Sequence, residues 1–226
     1  MGPVVAQGFF ITFEGGEGGG KSTQTKLLAE ALKAKGYDVV LTREPGGAPG
    51  AEAIRALLVQ GDVSRWDGVT EILLHYAARR DHVAKTVWPA MAAGKVVISD
   101  RHADSTMAYQ GYGHGIDKAV VREIHHATLG DFKPNLTLIL DLSIDAGLKR
   151  AMARPDMAKS TAEDRYERMG HEFHERLRQG FLEIAKAEPQ RCKVIDAARS
   201  IEAIQVDILS ATLTALDKAT QGKISG

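Results

Sequence analysis

Gly15, Gly20, Lys21 and Ser22 stand in the spacing G-x-x-x-x-G-K-[ST], within the run Gly15-Gly-Glu-Gly-Gly-Gly-Lys-Ser22. Glycines at this density let the backbone curl so that successive N–H groups point inward, as a cradle for phosphate oxygens requires. A helix beginning near Lys21 adds its positive end to the same point. The Lys21 ammonium can reach β and γ phosphates, and the Ser22 hydroxyl can ligate Mg²⁺. The triphosphate contact therefore covers Gly15, Gly16, Glu17, Gly18, Gly19, Gly20, Lys21, Ser22 and Thr23. An accidental glycine-rich turn is the plain alternative, and the apolar run before it and the helical pattern after it argue against that. The motif speaks for a nucleoside triphosphate and no further. Switch GTPases, motor ATPases and small kinases all carry it.

Such a loop needs a strand to launch it and a helix to receive it. Apolar runs without polar alternation recur at residues 9–13, 39–42, 96–99, 136–140 and 193–195. They suit strands covered on both faces, hence a mostly parallel sheet. Helical patterns lie between them. Leu27, Leu28, Ala31 and Leu32 share one apolar face that stops near Gly36, residues 51–59 repeat the pattern, and residues 70–93 form a longer one interrupted at Pro89. The fold class expected is α/β. It is a three-layer P-loop NTPase fold in a single domain over 1–226, with a five-stranded parallel sheet flanked by helices. Residues 150–164 are polar, contain Pro155 and read as an exposed lid; residues 218–226 read as a frayed tail.

Composition narrows the class from the other side. Of 226 residues, 44% are hydrophobic and 26% charged, enough for a sizeable core. Acidic and basic side chains balance at 29 each, so no overall field advertises a nucleic-acid or membrane partner. Cys192 is the only cysteine, which excludes an intrachain disulfide or a cysteine-based zinc site, and its apolar neighbours make it a buried strand residue. The first residues lack a signal pattern and no apolar run could span a bilayer, so a cytoplasmic, reducing location is expected.

Four further blocks follow the glycine-rich loop in order: Thr42-Arg-Glu-Pro-Gly-Gly47, Leu74-His-Tyr-Ala-Ala-Arg79, Ser99-Asp-Arg-His102 leading to Ser105-Thr-Met-Ala-Tyr-Gln-Gly111, and Asp164-Arg-Tyr-Glu167. In this order and spacing the chain resembles the bacterial thymidylate kinase family from about residue 9 to residue 209. The resemblance implies ATP-dependent phosphorylation of dTMP to dTDP, with ATP and dTMP as partners, Mg²⁺ as cofactor and a homodimer as the working form. It assigns the dTMP phosphate to Arg101 and Arg55, whose guanidiniums suit a dianion. Arg101 follows an apolar strand, where ligands of open α/β sheets bind. For Arg55 a solvated helix position is the plain alternative.

The same resemblance places Pro45, Glu17 and Tyr166 around dTMP. It gives Arg79 the thymine O4, Thr106 and Gln110 the thymine edge, and Tyr109 the floor beneath the deoxyribose. His75 stands where many relatives carry a stacking phenylalanine, so stacking and a hydrogen-bonded core position both remain open for it. Tyr109 could equally serve the core. Lys21, Arg101 and Arg154 are the implied catalytic charges, with Arg154 an arginine finger on the lid and Arg150 packing on adenine. Because the loop carries an acid at Glu17, the lid is expected to bring the positive charge. Asp100, after its strand, joins Ser22 at the metal. Solvated lid arginines, a kinase for another nucleoside monophosphate and a non-catalytic P-loop regulator are the competing readings.

Overall fold

The structure is a computed structural model that describes residues 8–62, 65–153 and 169–221. Strands β1 (Phe9–Glu14), β2 (Val39–Arg43), β3 (Val96–Asp100), β4 (Leu136–Asp141) and β5 (Cys192–Asp196) form one parallel sheet in the order β2-β3-β1-β4-β5. All five fall where uninterrupted apolar runs predict them. From β1 the chain crosses to the edge strand β2, returns to β3 beside β1, and then passes over to β4 and β5 on the other side. The connections after β1 and β3 therefore leave in opposite directions, and the crevice at the carboxyl ends opens between these two strands.

Period-two alternation sorts the two faces of the sheet. Phe9, Ile11 and Phe13 point to the layer of α1 (Lys21–Ala34) and α9 (Ile201–Gln221), where they meet Leu28, Leu32, Ile208 and Leu216. Phe10 points the other way, toward Ile72 and Tyr76 of α3 (Gly68–His82) and Val121 of α6 (Lys118–Leu129). On that second face Ile139 of β4 packs on Phe173, Leu177 and Phe181 of α8 (His171–Ala187). Each such buried side chain contributes about 1.5–3 kcal/mol relative to exposure. These layers therefore fix the strand ends from which the site loops project.

Helix α2 (Pro49–Val59) leans on α3 through Ala51 and Ala78. Asp67 caps α3, accepting from the N–H groups of Val69 and Thr70 at 3.0 and 3.1 Å. The long pattern over 70–93 is divided, as expected, but ahead of Pro89. A π-helical stretch, Val83–Val87, leads into the short α4 (Trp88–Ala92). Proline has no N–H to give and its ring crowds the carbonyl four residues back, so the widened turn falls upstream of it. A second π-helical stretch, Met107–Gly113, follows α5 (Ala103–Thr106) and carries Tyr109 and Gln110.

At the carboxyl end the expectation of a frayed tail from 218 needs correction. Helix α9 continues to Gln221, with Leu216 buried against the sheet layer and the Thr220 hydroxyl donating to the Leu216 carbonyl. Residues 222–226 and most of the expected lid, including Arg154, Asp164 and Tyr166, lie outside the described residues. Helix α7 (Ile144–Met152) leads to that segment. Cys192 is buried at the start of β5, and burial pushes its thiol up to about 12, so it is inert.

Candidate active site

The glycine-rich loop leaves β1 and closes on the amino end of α1. Gly20, at φ 85°, occupies the N-cap in the left-handed region, which lets the first N–H groups of α1 face the loop's hollow. Gly18 is needed for a different reason. A Cβ there would lie 2.1 Å from the Gly147 carbonyl oxygen, so α7 is seated directly on the crown of the loop. Lys21 folds back into the hollow, its Nζ donating to the carbonyls of Gly15 at 3.0 Å and Gly16 at 2.7 Å. Burial, then the nearby Arg101 charge, pushes that ammonium down from 10.5 to about 8. The Ser22 hydroxyl donates to Asp100 Oδ2 at 2.7 Å, joining the start of α1 to the end of β3.

Arg101 follows β3 with φ 72°, the one described non-glycine residue in the left-handed region. Its backbone N–H donates to the Phe13 carbonyl at 2.9 Å, and the next N–H, that of His102, donates to Glu14 Oε1 at 2.8 Å. The turn is thereby pinned to β1 on both sides. Its side chain spans the loop mouth: Nη1 reaches the Gly15 carbonyl and Ser105 Oγ, both at 3.2 Å, and Nη2 reaches Glu17 Oε1 at 2.7 Å. The guanidinium lies over the Tyr109 ring at 5.0 Å. Burial works against its charge, but Tyr109, Glu17 and Asp100 outweigh burial and keep it protonated.

Glu14 beneath this turn is fully buried, and burial together with the Asp104 charge raises its carboxyl from 4.5 to about 8. The folded state therefore holds a proton that the unfolded chain releases above 4.5. Stability from this group is complete below about 4.5 and is lost as pH rises through about 8. Glu14→Gln is expected to flatten that decline by at least about 1 kcal/mol between pH 5 and pH 8, or roughly 2–4 °C in Tm. Thermal melts of both proteins across that range check it, and parallel curves would show that Glu14 stays ionised.

At the far end of the cleft, Arg55 Nη1 donates to the Pro45 carbonyl at 2.8 Å, which turns it inward from α2. Arg79 is 3% exposed, its Nε donating to Glu44 Oε2 at 2.7 Å and its Nη2 to the His102 carbonyl and Thr106 Oγ1 at 3.1 and 3.0 Å. Its Nη1 is buried and has no protein acceptor. Gln110 Nε2 donates to Glu71 Oε1 at 2.9 Å, and His75 Nε2 lies 4.0 Å from the same oxygen. The Tyr109 hydroxyl donates to Glu17 Oε1 at 2.6 Å, and burial keeps that phenol well above its ordinary range.

These groups line one open cleft of about 550 Å³ running from Lys21 and Ser22 past Arg101 to Arg55, Arg79 and Gln110. Cations stand at each end and one stands between, which suits two phosphorylated ligands meeting at Arg101. The thymidylate kinase family model matches residues 13–208. The chain is 55% identical over 204 residues to a thymidylate kinase of Caulobacter vibrioides, covering 90% of this chain and 95% of that protein. It is 48% identical over 211 residues to one of Ruegeria pomeroyi, covering 93% and 97%. The crystal structure of thymidylate kinase from Ehrlichia chaffeensis superposes with a TM-score of 0.73 at 37% identity, covering 92% of this chain and 99% of that one.

The chain belongs to the thymidylate kinase family.

For this member of the thymidylate kinase family, the cleft brings together most of the residues singled out from sequence. Glu17, Gly18, Gly20, Lys21, Ser22, Thr23, Pro45, Arg55, His75, Arg79, Asp100, Arg101, Thr106, Tyr109 and Gln110 all line it. Gly15 and Gly16 line a smaller cavity behind the loop, with Glu17 shared between the two. Arg150 stands apart: its Nη1 donates to the Ala197 carbonyl at 2.9 Å, in the turn after β5. Sequence reasoning passed over Glu14, Glu44, His82, His102 and Ser105. Glu44 and His102 each adjoin a residue that was chosen, so the local signal was an acid or imidazole at a strand's carboxyl end. The partners of Glu44 (Arg79, His82 and His102) lie 35, 38 and 58 residues away and leave no local trace.

Proposed function

We infer that this chain transfers the γ-phosphoryl group of ATP directly to dTMP, giving dTDP and ADP, and that the cleft described above is where it does so. The observation that carries the site assignment is its two-ended charge pattern, with Arg101 between a triphosphate cradle and a buried guanidinium nitrogen that still lacks an acceptor. The loop N–H groups and Lys21 bind the donor phosphates. Arg101 and Arg55 hold the dTMP phosphate so that its oxygen attacks in line, and positioning and charge neutralisation supply most of the acceleration. Arg79, Thr106 and Gln110 read the thymine edge, with His75 on the pocket wall. Tyr109 lies under the deoxyribose, where its hydroxyl steers Glu17 toward the sugar. Arg154 and Tyr166 belong to the lid in this reading, and Arg150, held near Ala197, marks the adenine end.

Mg²⁺ fits the donor set at the base of the cleft. Ser22 Oγ and Asp100 Oδ2 offer one hydroxyl and one carboxylate 2.7 Å apart. That is what a hard cation keeping its waters and the nucleotide oxygens requires. Ser22 would hold it directly and Asp100 through water, and the ion would neutralise charge on the β and γ oxygens. The working form in this reading is a cytoplasmic homodimer. Exposed Leu57, Val69 and Leu73 on the neighbouring helices α2 and α3 support an apolar contact with a second copy. No helix among the described residues is long and apolar enough to cross a membrane.

The test is ADP release with MgATP and dTMP, dUMP, UMP or GMP offered separately. Rapid turnover with dTMP, with dUMP well behind, is the expected outcome. Preference for another monophosphate would keep the reaction and overturn the assignment of the base pocket. ATP turnover indifferent to any acceptor would overturn the kinase reading itself.

A further inference from the structure

Glu44 ends the path of β2 with its N–H on the Asp100 carbonyl at 2.9 Å and its carboxylate in the interior. Its two oxygens are used unequally. Oε2 takes Arg79 Nε at 2.7 Å; Oε1 takes His82 Nδ1 at 2.9 Å and His102 Nδ1 at 2.8 Å. Both rings are fully buried. Each must present an N–H from Nδ1 to this shared oxygen. The His82 ring is braced behind by Thr42, whose Oγ1 lies 2.8 Å from Nε2, while His102 Nε2 is buried without a partner.

A lone carboxylate facing an arginine tends to take the fork with two parallel bonds. Here two imidazoles already fill Oε1, so Arg79 is engaged on Oε2 through Nε alone. Nη2 is then free to bond the His102 carbonyl and Thr106, and the Tyr76 ring lies 4.5 Å from the guanidinium carbon and limits its tilt. Of the three guanidinium nitrogens, Nη1 alone is left for a ligand to satisfy. A buried donor with no acceptor is stabilised by a carbonyl oxygen and penalised by another N–H.

We propose that Glu44, saturated by His82 and His102, is a specificity-determining positioning residue: it aims Arg79 Nη1 so that the pocket accepts a 4-keto pyrimidine and rejects a 4-amino one. Glu44 acts through Arg79 and touches neither phosphate nor base. The assignment rests on the reading of the cleft as a dTMP site, and it adds the residue that sets the discrimination.

The experiment compares dTMP with dCMP as acceptors for the full-length protein, for Glu44→Gln and for Glu44→Asp. Wild-type failure on dTMP would sink the functional reading before the proposal is reached. With wild type active on dTMP, both variants are expected to keep the KM for MgATP, to raise the KM for dTMP about tenfold with a smaller change in kcat, and to narrow the dTMP-over-dCMP ratio of kcat/KM at least about tenfold. Glu44→Asp, which keeps the charge one methylene short, is expected to retain more discrimination than Glu44→Gln. An unchanged ratio, an equal loss on both acceptors, or failure of both variants to fold would each overturn the proposal and leave Glu44 a structural carboxylate.

Discussion

Arg101→Ala is expected to lower kcat/KM for dTMP by about 10³-fold or more, with a large rise in KM and little change in the KM for ATP. The side chain stands at the mouth of the phosphate loop, joined to Gly15, Ser105 and Glu17 and lying over Tyr109. Its loss removes the cation that stands midway along the cleft, where the proposed reading has the two phosphate-bearing ligands meet. It also leaves the Glu17 carboxylate beside the cradle without its strongest counter-charge, so an anion entering the cleft meets repulsion where it met attraction. Backbone and side chain can be separated. At φ 72°, alanine still carries the cost of a Cβ in the left-handed region, about 1–2 kcal/mol, whereas Arg101→Gly escapes it. Both variants are expected to lose activity alike while Arg101→Gly melts higher. Arg101→Lys, which keeps the charge without the planar fork, is expected to recover only part of the loss. Steady-state kinetics with a thermal melt for each variant checks all three. Normal dTMP affinity in Arg101→Gly would remove Arg101 from the acceptor phosphate.

The parts of this molecule that could be read from sequence are those whose determinants are consecutive. The phosphate loop needs one stretch of glycines with Lys21 and Ser22 at its end. The strands announce themselves because a sheet covered on both faces admits apolar residues on both sides, as Phe9, Phe10 and Ile11 show. The α9 tail was harder, since a position close to the end of the chain suggests fraying. What holds it is a contact from Leu216 to a core made elsewhere in the chain. The widened turn at Val83–Val87 was hidden for a related reason, because a proline reports that a helix must adjust without saying where.

The clamp at Glu44 was hardest of all. A carboxylate before proline at a strand end reads as a solvent-exposed turn residue, and only the fold shows that α3 delivers Arg79 and His82 to it while the β3 turn delivers His102. The link between Gln110 and Glu71 is of the same kind, joining a π-helical stretch to α3 across 39 residues. Residues that line the cleft could be matched to a family pattern. Residues that aim them could not, because their types are set by partners distant in the chain.

Lys21→Met is the second large effect, and it is distinguished by what it leaves intact. Nζ is buried and donates to the carbonyls of Gly15 and Gly16, an arrangement that holds the ammonium at the centre of the loop. Charge on the transferring group and on the departing β phosphate grows along the reaction, so a fixed ammonium there is worth more in the transition state than in the ground state. The expected result is a fall in kcat of about 10²–10³-fold, a smaller rise in KM for ATP, and an unchanged KM for dTMP. Methionine matches the length of the lysine stem and fills its space, so no cavity opens. Taking a desolvated charge out of the interior removes a cost, so the melting temperature is expected to hold or rise. Lost activity in a protein that melts as high as wild type would place Lys21 in the chemistry of transfer. If KM for ATP rose alone and kcat survived, the ammonium would be binding donor and transition state equally, and the acceleration would have to come from Arg101 and the lid.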